Sequence, residues 1–115
     1  MLSPGAAKKV VIHLNEDTSS PRDFLYSEIF RFLYDRGIAG ATMTREYSGF
    51  GSHHQVHTAG AGSVEGEHLP VRIEFLESAE VVDGIMDDLC GLVIDGVVEM
   101  HETTVVKAVS RAQPV

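Results

Sequence analysis

The sequence predicts an α+β domain of the ferredoxin-like class, a βαββαβ chain with both helices on one face of an antiparallel sheet. Three observations predict it. The chain has 115 residues, room for a single compact core. Stretches of helical period alternate with β-branched or alternating stretches in the order strand, helix, strand, strand, helix, strand. The two middle strands are separated by Ser48–Leu69, although adjacent antiparallel strands need only about two to five connecting residues. The expected organisation is one domain over 1–115, with its core at about 8–106, a flexible loop at 48–69 and a frayed tail at 110–115.

The first strand is expected over Lys8–Leu14 (KKVVIHL), with Val10, Ile12 and Leu14 on one face. Asn15 to Pro21 reads as a turn. Ser20 is the expected N-cap, with Pro21 at the first helical position. Leu25, Ile29, Phe32 and Leu33 then recur on one helical face, and Gly37 supplies the left-handed stop. Phe24, Phe30, Phe32 and Tyr34 are expected to fill the core or a subunit contact.

Ala41–Tyr47 alternates as a second strand, and Pro70–Leu76 (PVRIEFL) as a third with Val71, Ile73 and Phe75 inward. Ser78–Val93 is the second helix, capped by Ser78. Val81, Val82, Ile85, Met86, Leu89, Cys90 and Val93 form its apolar stripe, which makes Cys90 a buried, inert thiol. Asp95-Gly96 turns the chain into a final β-rich segment, Val97–Val109. The uncovered sheet face then carries His13, Thr42, Thr44, Glu46, Arg72 and Glu74, a polar surface suited to solvent or to a wet oligomer centre.

Composition removes several function classes. Nine Lys+Arg against seventeen Asp+Glu give a net charge of −8, with no basic patch, so nucleic acid is not an expected partner. No apolar run reaches the ~18 residues that span a bilayer, and no signal peptide is expected at Met1–Lys9. One cysteine excludes an internal disulfide framework and points to the cytoplasm.

The long connection carries the chemistry. Its glycines, Gly49, Gly51, Gly60, Gly62 and Gly66, outnumber its apolar anchors, so its tip is expected to order only on a ligand or partner. At its base, Gly49-Phe50-Gly51-Ser52 places backbone N–H groups where an anion can approach closely. The run lacks the third glycine of a dinucleotide fingerprint and the Gly-Lys-Ser/Thr ending of a Walker loop. His53, His54, His57 and His68, four of the six histidines, fall in the same segment. Imidazole clustering raises zinc, copper or nickel as ligands, with His53, His54 and His57 as the metal candidates. Ser52 with His57 is the one nucleophile–base pair available, and it lacks an elbow motif and an acidic orienter, so no catalysis is expected.

Gly37-Ile-Ala-Gly40-Ala-Thr, then Ser48-Gly-Phe-Gly-Ser52, His57 and Leu69-Pro70-Val-Arg-Ile-Glu-Phe75, resemble the domain-of-unknown-function 190 family, which is placed among PII-like signalling proteins. The resemblance runs from Lys8 to Val106. It implies a homotrimer whose sheets face a central axis. It also implies a T-loop, the long connection, that meets target proteins such as membrane transporters, and a small-molecule effector, an adenine nucleotide (AMP, ADP or ATP), bound at the loop base between subunits. Gly49, Phe50 and Gly51 match the family's glycine-phenylalanine-glycine stretch, and Ser52 and His57 match a narrower branch. The phosphate-binding lysine of PII proteins has no counterpart in Gly91–Gly96 (GLVIDG), which favours a less charged ligand such as AMP over a triphosphate. The expectation is therefore a non-enzymatic, trimeric regulator. The alternative is a metal-homeostasis trimer using the loop histidines.

Overall fold

The computed structural model describes residues 2–19, 23–46, 48–49, 57–58 and 69–111. Its elements are β1 (Gly5–Asn15), α1 (Leu25–Asp35), β2 (Ala41–Arg45), β3 (Ser48–Gly49), β4 (His57–Thr58), β5 (Pro70–Ser78), α2 (Ala79–Leu92) and β6 (Val97–Val105). The sheet order is β2-β5-β1-β6 and every neighbouring pair is antiparallel. Strands joined through a helix thus run parallel but never adjacent, the split arrangement that the element order predicts.

The core follows from period-two alternation in the two central strands. Val10, Ile12 and Leu14 of β1 pair in register with Phe75, Ile73 and Val71 of β5. Above this floor lie Leu25, Ile29 and Leu33 of α1 and Val82, Ile85 and Leu89 of α2, all buried. Each such side chain contributes roughly 1.5–3 kcal/mol by leaving water, which is what holds the helices down.

The helix ends show where local signals decide. α1 closes with a left-handed Gly37 (φ 75°), as expected. Gly37 N–H donates to the Tyr34 carbonyl and Ile38 N–H to that of Leu33, satisfying two terminal carbonyls. Ser78 caps α2, its hydroxyl accepting from Val81 N–H at 3.4 Å. The start of α1 differs from the expectation. Ser20 and Pro21 lie outside the described residues, and the helix begins only after Phe24, which caps without a side-chain bond. Leu25 N–H bonds the Thr18 carbonyl at 2.8 Å and Ser19 bridges Phe24, so the chain folds back on itself before the helix starts.

Three further expectations change. Cys90 is exposed, and Val81 is 37% exposed. Val82, Ile85 and Leu89 define the middle of the buried stripe, and residues 81 and 90 lie roughly a quarter-turn to either side of it. Of the four aromatics expected in the core or a subunit contact, Phe30 and Phe32 pack at the core's margin, and Phe24 and Tyr34 are exposed in the single copy. β2 is assigned only over Ala41–Arg45, and Tyr47 lies outside the described residues. β6 ends at Val105, and Val106 and Val109 beyond it are exposed. Among the described residues, no helix is long and apolar enough to cross a membrane.

Candidate functional site

The excursion between β2 and β5 leaves and returns at one place. Glu46 N–H donates to the Pro70 carbonyl at 2.9 Å, and Glu16 N–H to the Leu69 carbonyl at 2.9 Å. Leu69, immediately before Pro70, is 2% exposed and anchors the return. Arg45 at the end of β2 pairs with Glu16 at 2.9 Å, tying the exit to the β1–α1 connection. Backbone bonds, an ion pair and a buried side chain therefore fix both ends of the loop.

Within the excursion, β3 and β4 form a short antiparallel ribbon that the sequence did not announce. Ser48 pairs with Thr58 and Gly49 with His57. Two of the expected ligand residues, Gly49 and His57, are thus direct cross-strand partners. Phe50, Gly51, Ser52, His53, His54 and His68 lie outside the described residues. Among the described residues, no group of three His, Cys, Asp or Glu side chains could hold a metal ion.

Two concavities that sequence reasoning missed meet at Gly40 and Ala41. One, about 630 Å³, is lined by α1 and the α1–β2 connection, with Phe30, Tyr34 and Ile38 beside Arg31 and Asp35. The other, about 510 Å³, is lined by Lys9, Thr42, Glu74, Phe75 and Leu76. Both fall in the size range of small-ligand pockets and combine apolar surface with a few charged groups. The readable signal was Gly37 and Gly40 bracketing Ile38-Ala39, small residues that leave the elbow open. The concavities lie at the start of β2 and the loop base at its end, roughly 13 Å apart at the rise of an extended strand.

The uncovered sheet face is organised around two carboxylates. Glu74 and Glu99 flank Val11, its register partners in β5 and β6. Glu74 takes Lys9 Nζ at 3.1 Å and Arg72 Nη2 at 2.8 Å. Hydrogen bonds from Lys9 first, then Arg72, hold its carboxyl below the usual glutamate value. Glu99 lies 2.7 Å from His101 Nε2 and 3.4 Å from His13 Nε2, and the His101 hydrogen bond lowers its pKa most. Glu99, His101 and His13 form the second half of this network. His13, Arg72 and Glu74 lie on the predicted face, with Thr42 and Thr44 opposite Glu74 and Arg72 in register.

Comparison with known proteins places this arrangement in context. The DUF190 family model, described as an uncharacterized ACR, matches residues 7–105. CPII of Thiomonas intermedia K12, a nitrogen regulatory PII-like protein bound to ADP, AMP and bicarbonate, superposes with a TM-score of 0.66 at 21% identity, covering 93% of this chain and 94% of its own. A PII-like signalling protein of Thermus thermophilus gives 0.63 at 22% identity over 91% and 94% of the two chains. The apo form of CPII gives 0.59 at 16% identity over 91% and 97%.

Proposed function

The chain belongs to the DUF190 family, and from that premise we propose that it is a non-catalytic regulator of the PII-like kind. In this reading an adenine nucleotide settles against the base of the 48–69 loop, orders the loop and changes its affinity for a target protein. The target is a protein met in the cytoplasm, such as a membrane transporter or channel. The observation that carries the reading is the double closure at Glu46–Pro70 and Glu16–Leu69, which makes the base rigid whatever the tip does.

The mechanism is entropic. A glycine-rich segment costs about 1–2 kcal/mol of conformational freedom per residue ordered. A ligand that meets part of that cost leaves less for the target to meet, so ligand and target binding become coupled without any rearrangement of the sheet. Gly49, Phe50, Gly51 and Ser52 offer backbone donors to the ligand, with His57 opposite Gly49 across the ribbon. The α2–β6 turn at Val93–Gly96 offers no cation, so AMP or ADP fits the charge balance better than ATP.

In this reading the protein is a homotrimer, with the ligand site shared between copies. Glu74 and Glu99 on the open sheet face already have partners within the chain, which suits that face to burial against other copies.

Calorimetric titration of the intact protein with AMP, ADP and ATP tests the reading. Binding by AMP or ADP, weakened at least tenfold by Gly49→Val and by His57→Ala, is the expected result. Absence of binding by all three nucleotides overturns it.

A further inference from the structure

Nine cations stand against seventeen acids in this chain, so an anionic ligand needs a cation close to where it settles. Lys8 is held by Asp83, Arg36 by Asp88, and Lys9 and Arg72 by Glu74 on the open sheet face. Arg45 differs in its place. It ends β2, the strand that enters the excursion, three residues before Ser48 and so roughly 10 Å from it along an extended chain. Its register partner is Val71, which faces the core, so Arg45 lies on the helix side of the sheet, away from Arg72 and Glu74. Its Nε is 2.9 Å from Glu16 Oε2, and the two side chains reach solvent at 50% and 24% exposure. Glu16 in turn is held twice: its carboxylate meets the exit of the loop at Arg45, and its N–H meets the return at the Leu69 carbonyl.

We propose that Arg45 binds the phosphate of the ligand, and that the Glu16 carboxylate occupies the same guanidinium until the phosphate displaces it. The proposal rests on the nucleotide reading above and assigns the ligand's charged group to a residue. A phosphomonoester dianion offers a guanidinium the same pair of oxygens as a carboxylate with more charge behind them, so the two compete for the same donors. A solvent-exposed ion pair contributes little to stability, so the exchange costs the fold little. The bond from Glu16 N–H to Leu69 belongs to the backbone and persists while the side chain lets go. Binding thus frees the loop's exit from the β1–α1 connection without opening the neck, and Arg45 supplies the cation that the α2–β6 turn lacks. A neutral nucleoside has nothing with which to displace the carboxylate, so the pair selects for phosphate.

Calorimetric titration of the parent, Arg45→Gln and Glu16→Gln with AMP and with adenosine tests the exchange. The two substitutions are expected to act in opposite directions. Arg45→Gln weakens AMP by about tenfold or more, through loss of a charge-assisted contact. Glu16→Gln tightens AMP by about threefold, through loss of the competitor. Adenosine binds the parent by about tenfold more weakly than AMP. If the pair only braced the loop, both substitutions would weaken AMP, and that result overturns the proposal. So does adenosine binding as tightly as AMP, or an AMP affinity left unchanged by either substitution. Each of these leaves the nucleotide reading standing, whereas no binding of AMP, ADP or ATP to the parent and to Glu16→Gln overturns both. Nitrogen-15 spectra of the unaltered protein make the check independent of any variant's folding. The Arg45 Nε–H resonance is expected to move on titration with AMP and to stay in place with adenosine, and no movement at saturating AMP overturns the assignment.

Discussion

Gly96 lies so close to His13 that a β-carbon built on it would overlap the His13 carbonyl oxygen. Its φ of 147° is also one that side chains rarely adopt, so two independent constraints hold this residue as glycine where the chain turns into β6. Gly96→Ala is expected to cost at least about 2 kcal/mol, from backbone strain plus displacement of β1. Urea unfolding read by circular dichroism measures it. A loss below roughly 0.5 kcal/mol would mean that the turn relaxes freely.

The open sheet face sets an acid limit. The folded carboxyls of Glu74 and Glu99 lie below their ordinary value of 4.5, so the folded state favours their charged forms. That stabilisation is fully present above pH 4.5 and is lost as pH falls through the lowered folded values. Glu74→Gln and Glu99→Gln are therefore expected to be less stable than the parent at pH 6, and by a smaller margin at pH 3. Chemical denaturation at the two pH values checks the sign. A gap that widens on acidification would contradict it.

Glu77 faces the core side of β5 at 3% exposure, and its Oε2 has no hydrogen-bond partner among the described residues. Its register partner Lys8 reaches Asp83 of α2 instead, at 2.6 Å. Replacing a buried carboxylate that leaves one oxygen unsatisfied with an apolar side chain of similar size commonly stabilises, here by about 1–3 kcal/mol for Glu77→Met. Thermal unfolding is expected to show a higher Tm. A fall would reveal a role for the carboxylate in the native packing.

The exposed position of Cys90 makes a rapid chemical prediction. A thiol reagent is expected to label one site per chain in the native protein within the time it labels the unfolded chain. Labelling that waits for denaturant would mean the thiol is covered.

Periodic elements were readable from sequence because burial enforces them residue by residue. Val71, Ile73 and Phe75 alternate because each faces the core, and Ser78 caps α2 because the next residues already follow the helical period. The start of α1 was less readable. Ser20 and Pro21 carry good local signals, but the Thr18–Leu25 bond governs where the helix begins. Cys90 was misread for a related reason: hydrophobic period gives the centre of a stripe better than its margins. At the candidate site, the glycine-rich base was visible as a motif. The Glu16–Arg45 pair and the β3–β4 ribbon were not, since each joins residues distant in sequence or too few to show a pattern.

The fastened neck of the excursion has a consequence for how this protein family can diversify. Because Glu46–Pro70 and Glu16–Leu69 seal the base independently of what lies beyond, the span between them can be exchanged as a cassette. Doubling the length of such a span costs only about 0.6 kcal/mol in closure entropy. New recognition specificity can therefore be grafted there while the sheet beneath keeps folding as before.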